Sequence, residues 1–223
     1  SRLGEFGANV RDDERLAPAR RLILDPASWE PAARAAAAIG LRHAGVWADP
    51  LDTPADPARN STEPRLRVMA CLEHGGDYLI LETVVPLSQP HLASQALHFP
   101  GIGRLERHAH DLTGVIWTDQ PDGRRWARHQ AWPEDRFPLR ADFPVSGEDT
   151  GRAPPDAEYP FAPIQGSGVH EIPVGPVHAG IIEPGHFRFQ AMGEEVLRLE
   201  ERLGYVHRGV EKLAVGRDPS GLA

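Results

Sequence analysis

Arg65-Leu66-Arg67-Val68-Met69-Ala70-Cys71-Leu72-Glu73, then His74-Gly75-Gly76-Asp77, then Tyr78-Leu79-Ile80-Leu81-Glu82-Thr83-Val84-Val85-Pro86 is the stretch that decides the fold. In the first run apolar side chains recur at every second position, so Leu66, Val68, Ala70 and Leu72 share one face. The second run alternates in the same way, with Leu79, Leu81 and Thr83 opposite Tyr78, Ile80, Glu82 and Val84. Two alternating runs joined by Gly-Gly read as an antiparallel β-hairpin.

Before the hairpin, Arg21-Leu22-Ile23-Leu24 is a short strand stopped by Asp25-Pro26. Ser28 is placed to cap a helix over Trp29 to Ile39, with Glu30 in its first turn, Pro31 tolerated early and Gly40 as the stop. Leu41 to Trp47 reads as another strand, and the Asp- and Pro-rich residues 49–64 as the loop before the hairpin. Beyond the hairpin, Ser94 to His98 reads as a helical turn and Arg104 to Leu112 as a helix. These elements define an α+β fold, a mixed β-sheet with flanking helices. Residues 1–20 read as a charged tail and 21–145 as the α+β domain. The Gly-, Pro- and Ser-rich 146–168 reads as a linker. Residues 169–223 read as the start of a second domain, a partial hairpin and the first turns of a helix. Within the loop-rich 115–144, Trp117, Trp126, Trp132 and Phe137 stand out as aromatic anchors suited to a core or to an interface.

The composition excludes several functions. A formal net charge of -8 over 223 residues suits neither general nucleic-acid binding nor adsorption to anionic lipid. The single cysteine, Cys71, can build neither an internal disulfide nor a multi-cysteine metal site, and it points to a reducing compartment. No run of about 18 apolar residues occurs, so no segment reads as a membrane span. Neither a phosphate loop nor a G-x-G-x-x-G is present; Gly101-Ile102-Gly103 lacks the third glycine. His108 and His110 stand two apart, a spacing that sends them to different sides of a helix and suits a polar network better than a metal.

Two clusters carry chemistry. In Gly175-Pro-Val-His178-Ala-Gly-Ile-Ile-Glu183-Pro-Gly-His186-Phe-Arg188, two histidines, a carboxylate and an arginine converge in one turn between strands. Such a turn can relay protons or orient a polar ligand, or it can be a solvated hairpin turn. In Gly204-Tyr205-Val-His207-Arg208-Gly209-Val-Glu211-Lys212, His207 and Glu211 share a helix face, as an ion-pair ladder at a helix start also does.

These two clusters, with the Gly-Glu-Glu-Val between them, resemble the opening of the large subunit of group-4 nickel–iron hydrogenases of the formate hydrogenlyase and hydrogenase-4 type. They are also similar to the quinone-site subunit of complex I. Arg104-Leu-Glu-Arg107, Asp111-Leu-Thr-Gly114 and Phe137-Pro-Leu-Arg140-Ala-Asp142 resemble the small hydrophilic subunit of complex I. The two subunits occur fused in this order in the family, and 146–168 falls at the joint.

The resemblance implies an oxidoreductase parent that transfers electrons to protons or to quinone. Glu183 with His186 stands at the family's proton-relaying glutamate, although Ile181 replaces the expected arginine and Pro184 intervenes. His178 and His186 match the histidines that border the quinone headgroup in the complex I branch, and Glu211 in Arg208-Gly209-Val210-Glu211 matches a glutamate that helps hold a divalent ion. A nickel–iron centre and a divalent ion, or quinone, are implied for the parent. The nickel ligands of the family come from Cys-x-x-Cys pairs, and this sequence has none, so the expectation is an N-terminal fragment that carries no cofactor and is itself inactive. Implied partners are the iron–sulfur subunit of the same complex, membrane subunits indirectly, and a second copy through the C-terminal segment. The alternative reading is a non-catalytic docking module for the iron–sulfur subunit. The implied location is cytoplasmic, peripheral on the inner face of the membrane.

Overall fold

The computed structural model describes residues 5–51, 63–128, 132–148, 159–207 and 209–221. The chain forms two compact units: Ser1–Gly123 with Phe137–Gly147, and Arg124–Arg136 with Glu148–Ala223.

The first unit is built on the hairpin. Strands β1 (Val10–Leu16), β2 (Ala19–Leu24), β3 (Arg42–Leu51), β4 (Arg65–His74) and β5 (Asp77–Pro86) form one sheet in the order β1-β2-β5-β4-β3. β4 and β5 pair antiparallel from Arg65 opposite Pro86 to His74 opposite Asp77. Gly75 and Gly76 take φ of +61° and +94°, as the tight turn requires. The alternation decides the inward face: Leu66, Val68, Ala70, Leu72, Leu81 and Thr83 are all fully buried. β2 joins β5 in parallel, the one parallel pairing in this sheet among the described residues. At its end the buried Thr83 hydroxyl donates to the Leu24 carbonyl at 3.0 Å. Thr83→Val removes that donor at constant volume, so urea unfolding should show a loss of about 1 kcal/mol.

Helices α1 (Trp29–Ala38) and α2 (Gly103–Thr113) lie on the inward face, where Trp29, Ala32, Ala36 and Ala109 enter the same core as the strand residues. Ser28 precedes α1 as expected, but its side chain makes no cap; the hydroxyl instead accepts the Asn9 amide at 2.8 Å. Short strands β6 (His91–Ala93) and β7 (Ile116–Thr118) pair in parallel beside α2. The expected anchors Trp117 and Phe137 are core residues, only 8% and 9% exposed.

The expected tail is corrected in part. Val10–Leu16 forms edge strand β1, which no apolar alternation announces. Cross-strand charge pairing holds it instead: Arg20 pairs with Asp13, Arg21 with Glu14, and Arg11 with Asp25. The expected continuous domain over 21–145 also differs, because Arg124–Arg136 belongs to the second unit.

The second unit carries a three-stranded antiparallel sheet in the order β10-β9-β8, from β8 (Val169–Val174), β9 (His186–Met192) and β10 (Glu195–Arg202). A short helix α3 (Val210–Ala214) follows. Where a partial hairpin is expected, the described residues form a three-stranded meander. Of the expected linker, 149–158 lies outside the described residues, while Tyr159–Ala162 packs on the sheet. The Ala162 amide donates to Glu200 at 3.0 Å and its carbonyl accepts from Gln190 at 2.6 Å. Linker-like composition says nothing about such backbone bonds. No described helix is long and apolar enough to cross a membrane.

Candidate functional site

The histidine turn lies between β8 and β9, and both histidines staple its neck. The His178 Nε2–H donates to the Gly185 carbonyl at 2.8 Å, and the His186 Nδ1–H to the Gly175 carbonyl at 3.3 Å. These bonds assign the tautomers: His178 is left with Nδ1 and His186 with Nε2. The His186 Nε2 is buried and without a hydrogen-bond partner. Ring contacts fix both imidazoles, His178 edge-on to Phe187 at 5.7 Å and His186 tilted against Phe161 at 5.3 Å.

Gly175 makes the neck possible. Its φ is +81°, and a Cβ there would stand 2.3 Å from the Gly185 carbonyl oxygen and 2.4 Å from the His178 Nε2. The neck therefore joins His178, in the turn, to His186, the first residue of β9. Glu183 sits on the exposed part of the turn beyond it.

The register of β9 with its neighbours sorts the sheet faces. Glu171, Gln190 and Arg198 stand in one row, and Pro173, Arg188 and Glu200 in the next. Residues 159–162 cover this polar face. Glu200 is 4% exposed and receives Arg124 at 2.7 Å as well as the Ala162 amide. On the opposite face Ile172, Phe189 and Leu199 form an apolar row, with Ile172 and Leu199 exposed.

Glu211 lies in α3 and pairs with His207, Nε2 to Oε2 at 3.2 Å, the i,i+4 contact read from the sequence. Arg208, the remaining member of that motif, lies outside the described residues. Among the described residues no group of three or more His, Cys, Asp or Glu converges as a metal site. A Glu–His pair falls short of the six or more oxygen ligands of calcium or the near-octahedral set of magnesium. The described residues do not make up a metal site.

A further polar centre escaped sequence reading. Glu106 in α2 is fully buried. It accepts from the Ser94 hydroxyl at 2.6 Å, from the Gln95 amide at 2.8 Å, and from the Gln120 side-chain amide. Burial pushes its carboxyl up to about 7, against the lowering effect of the Ser94 and Gln95 bonds. Gln95 also donates to the Trp29 carbonyl at 3.1 Å and meets the His43 Nε2 at 3.0 Å, so the cluster ties both helices to β3. The available signal was position: Glu106, Ala109 and Thr113 share one helix face, and all three are buried. Arg107 pairs with Asp122 at 3.0 Å, and the His110 Nδ1–H donates to the Val115 carbonyl at 2.8 Å.

The first unit is a mixed α+β fold built on a five-stranded sheet, and comparison with known proteins gives its family. Residues 22–149, more than half of the chain, match the family described as "Respiratory-chain NADH dehydrogenase, 30 Kd subunit", and the chain belongs to that family. Hydrogenase-4 component G of Escherichia coli is 38% identical over 144 residues, 63% of this chain and 25% of that protein. Formate hydrogenlyase subunit 5 of the same organism is 36% identical over 144 residues, with the same two coverages. The C/D subunit of Bacteroides fragilis NADH-quinone oxidoreductase is 29% identical over 122 residues, 48% of this chain and 23% of that protein. The chain spans about a quarter of the length of these relatives. Its relatives are thus named parts of hydrogenases and NADH-quinone oxidoreductases.

Proposed function

We propose that this chain is the opening portion of a fused large subunit in a membrane-associated redox complex, which passes electrons to protons or to quinone. The observation that carries this reading is the order of two features: the family match over 22–149, followed by a turn whose neck is built from His178, Gly175 and His186. Hydrogenase-4 component G, formate hydrogenlyase subunit 5 and the C/D subunit support the same reading by name.

In this reading the chain's residues position and protonate. The His178 Nε2–H is committed to the neck, so His178 acts as a positioning residue. The buried His186 Nε2 is the ring nitrogen left to accept a proton from, or donate one to, a polar oxygen such as that of a quinone. Exposed Glu183 is placed to exchange protons with solvent. A nickel–iron centre, where the complete subunit holds one, supplies the redox step; the described residues do not make up its ligand set, and no step is derived through it.

The test is made in the complete complex. His186→Ala should abolish hydrogen evolution or quinone reduction while leaving assembly intact. His178→Phe should slow turnover and destabilise the turn, and His178→Gln, which can still donate to the Gly185 carbonyl, should restore much of both. Full activity in His186→Ala would reject the role of the turn. The purified chain should bind no stoichiometric nickel and evolve no hydrogen; nickel with turnover would reject its proposed inactivity.

A second reading, docking of an iron–sulfur partner by the first unit, is favoured by the outward face of the five-stranded sheet. Neither helix lies on it. Trp47, Met69 and Glu82 stand in one row across three strands, and Trp47 is 41% exposed. Loss of partner capture in Trp47→Ala would support this reading, and unchanged capture would count against this face.

A further inference from the structure

Tyr159-Pro160-Phe161-Ala162-Pro163 lies on the polar face of the β8–β10 sheet and is not one of its strands. Pro160 and Pro163 have no amide hydrogen, so the segment is unsuited to a ladder of strand bonds. It is tied down through side chains instead. The Ala162 amide donates to Glu200 and its carbonyl accepts from Gln190, and both side chains are buried. Arg124 adds a second tie, donating to Glu200 at 2.7 Å and to the Pro160 carbonyl at 3.2 Å. Glu200 thus holds the segment twice, with one carboxylate oxygen on Arg124 and the other on the Ala162 amide.

These ties place Phe161. Its ring meets the His186 imidazole at 5.3 Å and is packed by Tyr159 at 4.6 Å and by the Arg188 guanidinium at 4.1 Å. Arg188 keeps Glu171 as its charge partner at 3.6 Å, so its part here is packing. Beside the Phe161 ring the His186 Nε2 is sealed, buried and without a hydrogen-bond partner. A buried acceptor left unpaired is costly, and Nδ1 is already spent on the Gly175 carbonyl. Yet His186 borders a cleft of about 610 Å³, which Tyr159, Pro160 and Phe161 also line. A molecule in that cleft lies beside His186 without reaching the ring nitrogen left to serve it.

We propose that Tyr159–Ala162 is a strap over His186: Phe161 closes off Nε2, and a polar ligand meets that nitrogen only when the strap lifts from Glu200. Phe161 is then a positioning residue and Glu200 its latch. Lifting breaks bonds to side chains and one ring contact, and it leaves the strands β8, β9 and β10 paired. This role rests on the reading that the His186 Nε2 exchanges protons, and it adds what controls access to that atom.

Diethyl pyrocarbonate, which acylates accessible imidazole nitrogens, is applied to the purified chain at fixed pH, and the rate at each histidine is read by peptide mass spectrometry. His186 should react about tenfold or more slowly than exposed His91, the protection that a closed local state confers. Phe161→Ala should bring His186 close to the His91 rate, and Phe161→Leu, which keeps an apolar cover, should restore the protection. Glu200→Gln keeps an acceptor for Ala162 but loses the charge on Arg124, and it should speed His186 by roughly threefold or more. His178, held by the neck in the same unit, should keep its rate in each variant, whereas a general loosening would raise both. If circular dichroism shows that Phe161→Ala does not fold, Glu200→Gln decides. Fast acylation of His186 in the wild type, or slow acylation in both Phe161→Ala and Glu200→Gln, overturns the strap whatever the activity of His186→Ala in the complete complex. Full activity of His186→Ala with a protected wild-type His186 rejects the proton role instead, so the two failures are told apart.

Discussion

Urea unfolding of this protein should become easier as pH rises from about 4.5 to about 7, and Glu106→Gln should remove that trend. The Glu106 carboxyl is raised from its ordinary 4.5 to about 7 because burial penalises its charge. The folded state therefore holds a proton that the unfolded chain releases between those values. Stability from this group is fully present below 4.5 and lost as pH passes 7, the reverse of a salt-bridged carboxylate. The shift corresponds to about 3 kcal/mol. Three donors soften the cost of the charged form without supplying a cation. A glutamine side chain in place of Glu106 keeps the shape and stays neutral. Its amide can donate to the Ser94 hydroxyl while Gln120 turns its own amide to suit. Half-buried His43 titrates in the opposite sense, its pKa lowered by burial. The measurement is thus the difference between wild type and Glu106→Gln across the pH range. A difference that stays flat, or that favours the wild type as pH rises, would show that folding does not raise the Glu106 pKa.

Gly175→Ala should be the most damaging single-methyl change in the histidine turn. The added carbon meets a carbonyl oxygen at 2.3 Å and the His178 ring at 2.4 Å, at a φ of +81°. The left-handed conformation alone costs an L-residue about 1–2 kcal/mol, and the clash breaks one or both neck hydrogen bonds. A loss of about 3 kcal/mol in the second unit follows, with proteolytic cleavage between residues 175 and 185 rising in step. Gly180→Ala is the control: φ is +75° there, but a Cβ meets nothing within 4 Å. It should cost only the conformational part, about 1–2 kcal/mol. Equal effects at the two positions would mean that the neck contacts contribute nothing.

The sheet was largely legible in the sequence because period-two alternation and a Gly-Gly turn are local signals. Leu66, Val68, Ala70 and Leu72 turn inward as their spacing requires. Strand β1 was not legible, since its residues bury little and its support comes from charges on the facing strand. The second unit's covering segment was hidden for a related reason. Tyr159–Ala162 contributes through backbone bonds to Gln190 and Glu200, which lie far along the chain. At the candidate site, residue types and order announced the turn, but not the division of labour within it. That His178 spends its N–H on the neck while His186 keeps a buried nitrogen depends on atoms brought together by folding. Glu106 shows the same limit from the other side: a carboxylate on an amphipathic helix reads as solvated until a core closes over it.

The outward face of the first sheet carries a consequence for spectroscopy. Cys71 is the only cysteine in the chain, and it stands on that face between Gly45 and Ile80 while its neighbours Ala70 and Leu72 point into the core. A maleimide fluorophore or nitroxide therefore reports on this face alone, with no engineered thiol and no background label. Burial, aided by the charge of Glu73, raises the thiol's pKa, so labelling is slow at neutral pH and quickens in mild alkali. This chain thus carries a single site for an optical or paramagnetic probe, on the same face as Trp47.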